Sequence, residues 1–165
     1  MKKTITFFIS YARANKGLAA KFLDKFSEQV TPSKKYKYMF WRDTEILVGE
    51  NWNDEIQTAL KQCDLGLLLI SPAFLGSQYI DEHELPRFVG SDAKPLIPIM
   101  LQSVNFQRHD LKGLQDGQIF RLDRPNLRSP KSYYECSPLQ RDQFIQEVFK
   151  QVESRLDKLV GIRDT

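Results

Sequence analysis

At 165 residues and 19.3 kDa, with 41% hydrophobic and 27% charged residues, the chain has the make-up of one globular domain and not of a disordered or fibrous protein. A net charge of +3 is too small to imply nucleic-acid binding, and the one dense basic run, Lys34, Lys35 and Lys37 interleaved with Tyr36 and Tyr38, reads as a solvated strand edge. Cys63 and Cys136 have neither metal nor redox spacing, the apolar part of the N-terminal MKKTITFFIS is too short for a signal peptide, and no stretch nears the ~20 apolar residues of a membrane span, so a soluble cytoplasmic protein is the expectation.

Hydrophobic runs then alternate with helical stripes, the pattern of a parallel sheet wrapped by helices. Thr4 to Ser10 reads as the first strand, and Gly17 to Val30, with Leu18, Ala19, Phe22, Leu23, Phe26 and Val30 at helical spacing, as the first helix. Tyr38 to Trp41 is a short second strand, and the loop RDTEILVGE, Arg42 to Glu50, leads to a helix striped by Trp52, Ile56, Ala59, Leu60 and Cys63. The six apolar residues LGLLLI, Leu65 to Ile70, suit a strand covered on both faces. A helix is expected from about Ile80, disrupted near Pro86, followed by a fourth strand at Lys94 to Leu101 in which Pro98 marks an edge or an irregularity. A short fifth strand around Ile119 to Leu122 and a last helix from about Pro138 to Val160 complete the single domain expected here, and the closeness of that helix to the chain end is compatible with, without proving, an N-terminal module of a longer protein.

Ligands of open parallel sheets bind at the carboxyl ends of the strands, which directs attention to the turns after the first and third strands. The first, SYARANKG, lacks the glycine-rich fingerprint of dinucleotide redox folds, and no phosphate loop ending in Gly-Lys-Ser/Thr is present. A phospho-accepting receiver domain would place acids where Ser10, Tyr11 and Ser71 stand. With His83 and His109 the only histidines, metal sites and histidine-based triads have few candidates, and no metal is expected. What remains is the acidic cluster after the third strand, Asp81, Glu82 and Glu84, in which a carboxylate is either part of ionic chemistry or a solvated charge on a helix face.

Several blocks together resemble the Toll/interleukin receptor (TIR) domain: Phe8-Ile9-Ser10-Tyr11, Trp41-Arg42-Asp43 opening a loop that contains Gly49 and leads to Trp52, Leu69-Ile70-Ser71-Pro72 with Phe74, Leu75 and Ser77, the acidic segment ending Glu84-Leu85-Pro86, and the proline-containing fourth strand. The resemblance covers Thr4 to about Val160. It implies a flavodoxin-like three-layer α/β sandwich with a five-stranded parallel sheet. It also implies that Asp43 to Asn51, including Ile46, Leu47, Val48 and Gly49, is an assembly loop that flaps over the pocket. Members divide into noncatalytic adaptors, which act through TIR–TIR contacts, and enzymes that cleave the nicotinamide–ribose bond of NAD+.

The enzymatic group carries a glutamate early in the helix after the third strand, and Glu84, followed by Leu85 as in the family's pattern, matches it better than Asp81 or Glu82. Many enzymatic members have an aromatic residue four positions before that glutamate, where this chain has Ile80. Tyr79, five positions before, takes the role if the turn holds one extra residue, as in bacterial members. By resemblance, substrate contacts fall on Tyr11, Ala12, Arg13, Arg42, Asp43, Trp52, Ser77 and Tyr79. Alternatives stand beside these: a core role for Trp52, solvent for Arg13, loop structuring for Asp43 and a helix cap for Ser77. One glutamate suffices in such an enzyme because nicotinamide leaves as a neutral ring and needs no general acid, unlike an ordinary glycoside. The expected activity is therefore NAD+ glycohydrolysis, giving nicotinamide and ADP-ribose or a cyclic product, with NAD+ as substrate and no cofactor. The resemblance further implies activation by self-assembly, a fused sensor or oligomerisation domain, and a role in bacterial antiphage defence.

Overall fold

The computed structural model describes residues 2–42, 52–90, 93–115 and 118–164. Among them, β1 (Lys3–Ser10), β2 (Tyr36–Trp41), β3 (Leu65–Ile70) and β4 (Leu96–Met100) form one parallel sheet in the order β2-β1-β3-β4. It is flanked by α1 (Lys16–Val30), α2 (Trp52–Gln62), the one-turn α3 (Pro72–Leu75) and the long α4 (Pro138–Asp164). Every residue of β3 is buried, as its unbroken apolar run requires. Leu65, Leu67 and Leu69 join Phe7 and Ile9 in a core closed by Phe22 and Phe26 of α1 and Phe144 and Val148 of α4. On the other face Leu68 and Ile70 pack with Phe8, with Ile56 and Leu60 of α2, and with Phe74, Ile80, Leu85 and Phe88.

The chain runs from β1 outward to β2 and returns to place β3 on the other side of β1. The crossover direction therefore reverses between β1 and β3, which opens a crevice at their carboxyl ends. Ser10 and Ile70 end these two central strands, held in register through the Ser10–Leu68 pairing.

Three expectations are corrected. Among the described residues the sheet has four strands and not five. The segment around Ile119 to Leu122 makes one parallel bridge, Ile99 to Phe120, and then leaves β4. Its continuation is blocked because the Met100 carbonyl, the next acceptor on that edge, takes the Tyr133 amide at 2.9 Å, while Leu122 exchanges both of its backbone bonds with Lys131. β2 begins at Tyr36, with Lys3 opposite it, two residues before the expected start. The segment between Ser71 and Ile80 holds an additional helical turn, α3, which Ser71 caps with Pro72 at its first position. Pro98 lies on β4 at the sheet edge, its carbonyl accepting the Phe120 amide. Among the described residues no helix is long and apolar enough to cross a membrane.

Candidate functional site

Polar side chains stitch together the carboxyl ends of the strands. Ser71 accepts the Phe74 amide at 3.0 Å as the cap of α3 and donates its own hydroxyl to Asn15 Oδ1 at 2.6 Å. Asn15 in turn donates to Gln102 Oε1 at 3.0 Å, so the turn after β1, the start of α3 and the loop after β4 are joined through one buried amide. Asn15 therefore makes no cap on α1 although it stands at the cap position.

After α3 the chain enters a single π-helical turn, Ile80–Glu84, closed by the Leu85 amide on the Ile80 carbonyl. Ser77 accepts the Ile80 amide at 3.2 Å and so caps this turn. An i→i+5 turn brings residues five apart to one side, as an α-helix does for residues four apart. Tyr79 and Glu84 consequently line the same cavity although the sequence separates them by one position more than an α-turn would. Pro86 then ends the regular hydrogen bonding, because it has no amide to donate, and Leu85–Arg87 tightens into a 3-10 turn. Gln57 of α2 splints the junction, donating to the His83 carbonyl at 2.9 Å and accepting from Arg87 at 3.1 Å.

Of the three acids on this turn only Glu84 is buried, at 2% exposure. Its Oε1 accepts the Ser10 hydroxyl at 2.8 Å. Asp81 and Glu82 face solvent, in loose contact with Lys112 at 3.7 Å and His83 at 3.8 Å respectively. Glu84 borders a cavity of about 420 Å³, a size ordinary for small-molecule sites. The remaining walls are Tyr11, Ala12, Arg13 and Ala14 from the turn after β1, and Ala73, Ser77, Tyr79 and Ile80 from the segment after β3. Tyr79 lies against the His83 ring at 4.6 Å between centroids, and Arg13 is exposed at the rim.

Six of the expected residues, Tyr11, Ala12, Arg13, Ser77, Tyr79 and Glu84, thus meet around one cavity. Arg42 follows the end of β2, half-buried, and does not line it. Asp43, Ile46, Leu47, Val48 and Gly49 lie outside the described residues, as does the side chain of Trp52, the first residue of α2. Among the described residues no group of three His, Cys, Asp or Glu side chains could hold a metal ion. Burial pushes the Cys63 and Cys136 thiols up, away from the thiolate form a nucleophile needs.

A family model described as "TIR domain" matches residues 7–129, about three quarters of the chain. The chain belongs to the TIR domain family. No curated protein matches it. The matched span contains the second half of β1, all of β2 to β4 and every wall of the cavity, so what the family shares includes the crevice of this TIR domain.

Sequence reasoning missed two side chains that hold the site. Ser10 shares strand parity with Phe8, and that parity points it toward the face carrying Ile80 and Leu85, which is the signal that could have found it. Gln57 carries no such signal, because its partners lie 26 and 30 residues away along the chain.

Proposed function

We propose that this TIR domain is an NAD+ glycohydrolase in which Glu84 stabilises the reacting ribose. The observation that carries this reading is the buried Glu84 carboxylate on the wall of the crevice cavity, hydrogen-bonded by Ser10. In the reaction the C1′–N1 bond breaks and its electron pair goes to nicotinamide, which leaves neutral. The ribose left behind has oxocarbenium character, and a negative charge fixed in a water-poor pocket stabilises it. A preorganised group of this kind contributes roughly 3–4 kcal/mol, a few hundredfold in rate. Water then adds to C1′ and releases a proton, giving ADP-ribose; attack by the substrate's own adenine gives the cyclic product.

The remaining walls suit a nicotinamide riboside. Tyr79 and Tyr11 place aromatic walls beside the planar base, the small side chains of Ala12, Ala14 and Ala73 leave room for it, and Arg13 at the rim suits the diphosphate. Trp52 and the loop from Asp43 to Gly49 belong to the same proposal as a stacking residue and an assembly element, with TIR–TIR self-association raising activity. Defence against phage by NAD+ depletion is the biological role that fits such an activity.

The test is nicotinamide release from NAD+ by concentrated protein under crowding, for the parent and for Glu84→Gln, after both are shown to fold. Release by the parent and a loss of at least about a hundredfold in the variant is the expected outcome. Absence of release by an assembled parent would replace the enzyme with a noncatalytic adaptor.

A further inference from the structure

We propose that Ser10 is a positioning residue for Glu84, fixing the carboxylate in the orientation that the developing ribose cation requires; this inference rests on the glycohydrolase reading. Ser10 is the last residue of a central strand, paired in register with Leu68 of β3 and 1% exposed. Its position is therefore among the most firmly held in the molecule. Its hydroxyl donates to Glu84 Oε1 at 2.8 Å across 74 residues of sequence. Ser10 does not itself line the cavity, so it reaches a substrate only through Glu84.

The geometry gives that bond two effects. A glutamate has three rotatable side-chain bonds, and a donor anchored on the sheet selects the rotamer in which the carboxylate faces the cavity. Because the donor is already in place, no solvent has to reorganise as charge develops on the ribose. A purely structural role would also account for a buried hydroxyl with an acceptor, and the two readings differ in what removal of the hydroxyl does. A structural serine affects stability alone, whereas a positioning serine affects the chemical step with substrate binding intact.

The experiment is steady-state nicotinamide release by the parent, Glu84→Gln, Ser10→Ala, Ser10→Thr and Ser10→Cys, with thermal unfolding of each. Ser132→Ala is the matched control: Ser132 is also fully buried and donates to a glutamate, Glu135 Oε1, at 2.8 Å, but outside the cavity. Ser10→Ala is expected to lower kcat by about ten- to a hundredfold while KM stays within about twofold, as loss of a charge-assisted hydrogen bond predicts. Ser10→Thr, which keeps the hydroxyl, should restore most of kcat, and Ser132→Ala should lose stability without losing kcat. Should Ser10→Ala fail to fold, Ser10→Cys decides, since its weaker donor should give an intermediate kcat. A full kcat in Ser10→Ala or Ser10→Cys, or a change confined to KM, overturns the inference while an inactive Glu84→Gln leaves the glycohydrolase reading standing. No release by the assembled parent overturns both.

Discussion

Gly66 determines how closely the polypeptide after Glu84 can approach the sheet, and replacing it with alanine should unseat that segment. A Cβ at position 66 would stand 2.4, 2.6 and 2.8 Å from three atoms of the Phe88 ring, all inside the closest approach that carbon atoms tolerate. Phe88 is 1% exposed and packed against Phe8, so the ring can yield only by shifting away from the sheet, toward the pocket it borders with Lys94 and Leu96. Inserting a methyl group into such a contact costs about 1–3 kcal/mol. The smaller freedom of an unfolded alanine returns about 0.4–1 kcal/mol, leaving a net loss of about 1–2 kcal/mol. For a chain of this length that is a fall in Tm of about 2–8 °C. Thermal unfolding followed by circular dichroism measures it, and Phe88→Leu provides the second arm of a double-mutant cycle. In the doubly substituted protein the smaller side chain should relieve the clash, giving a favourable coupling of at least about 0.5 kcal/mol. Because Phe88 follows Glu84 by four residues, the NAD+ cleavage proposed above would fall with stability in Gly66→Ala and recover in part in the double variant. A Tm within about 1 °C of the parent, or strict additivity of the two substitutions, would refute the packing argument.

Gln57→Ala removes the donor to the His83 carbonyl and the acceptor for Arg87, and should lower the stability measured by urea unfolding by about 1–2 kcal/mol; an unmoved midpoint would show that the splint is dispensable. Deleting Asp81, an exposed residue of the π-turn whose contact with Lys112 is loose, should convert that turn to an α-turn and keep Tyr79 and Glu84 on one side. The shortened protein is expected to fold and to retain cleavage within about tenfold, and a loss as complete as that of Glu84→Gln would mean the extra residue is itself required. At the opposite end of the sheet, hydrogen bonds from Tyr36 and Lys35 hold the Asp157 carboxyl below its ordinary value. A depressed acid stabilises the fold above its unfolded pKa of about 4 and loses that contribution as pH falls through the lower folded value. Asp157→Asn should therefore be less stable than the parent at pH 6 by under about 1 kcal/mol, Asp157 being partly exposed, and the difference should close in acid. A gap that stays constant from pH 6 to pH 2 would exclude this linkage.

How much of this was legible in the sequence depends on how far apart the interacting groups are. β3 could be read because burial on both faces writes itself into six adjacent residues. The α1 stripe was legible for the same reason: Ala19, Phe22, Leu23, Phe26 and Val30 are all buried. The start of β2 was obscured because Lys35 and Lys37 flank Tyr36 at an edge, where the outward positions are polar by necessity. The segment around Phe120 has the composition of a strand, but its pairing is decided by Lys131 and Tyr133, which compete for the hydrogen bonds a fifth strand would need. The cap at Ser71-Pro72 was visible in the sequence, yet stopping a strand and starting a helix leave the same signature. In the candidate site, Glu84 and Tyr79 could be singled out, whereas the turn that brings them to one side is a π-turn, a geometry that no local periodicity announces. Ser10, 74 residues from its partner, could be placed only by strand parity.

The three acids of one short turn give the sharpest contrast between an enzyme and an adaptor. Asp81 and Glu82 present their charges to solvent, where Asp81 meets Lys112 loosely and Glu82 accepts from the exposed Gln78 amide, contacts that cost little desolvation. Two residues further on, Glu84 is 2% exposed and accepts a hydrogen bond from the central strand. Moving a carboxylate out of water costs several kcal/mol before compensation, and a surface that only needs negative charge for docking gains nothing from that burial. A reaction that passes through a cation does, because the same low polarity that makes the burial costly strengthens the attraction to the developing charge. The contrast can be tested within the turn. Asp81→Asn with Glu82→Gln removes two charges and should leave nicotinamide release within about twofold, while Glu84→Gln removes one and should abolish it. If the surface pair instead controlled release, or if it alone controlled self-association while Glu84→Gln changed nothing, the burial of Glu84 would have to be explained by packing, and the adaptor would be the better account of this TIR domain.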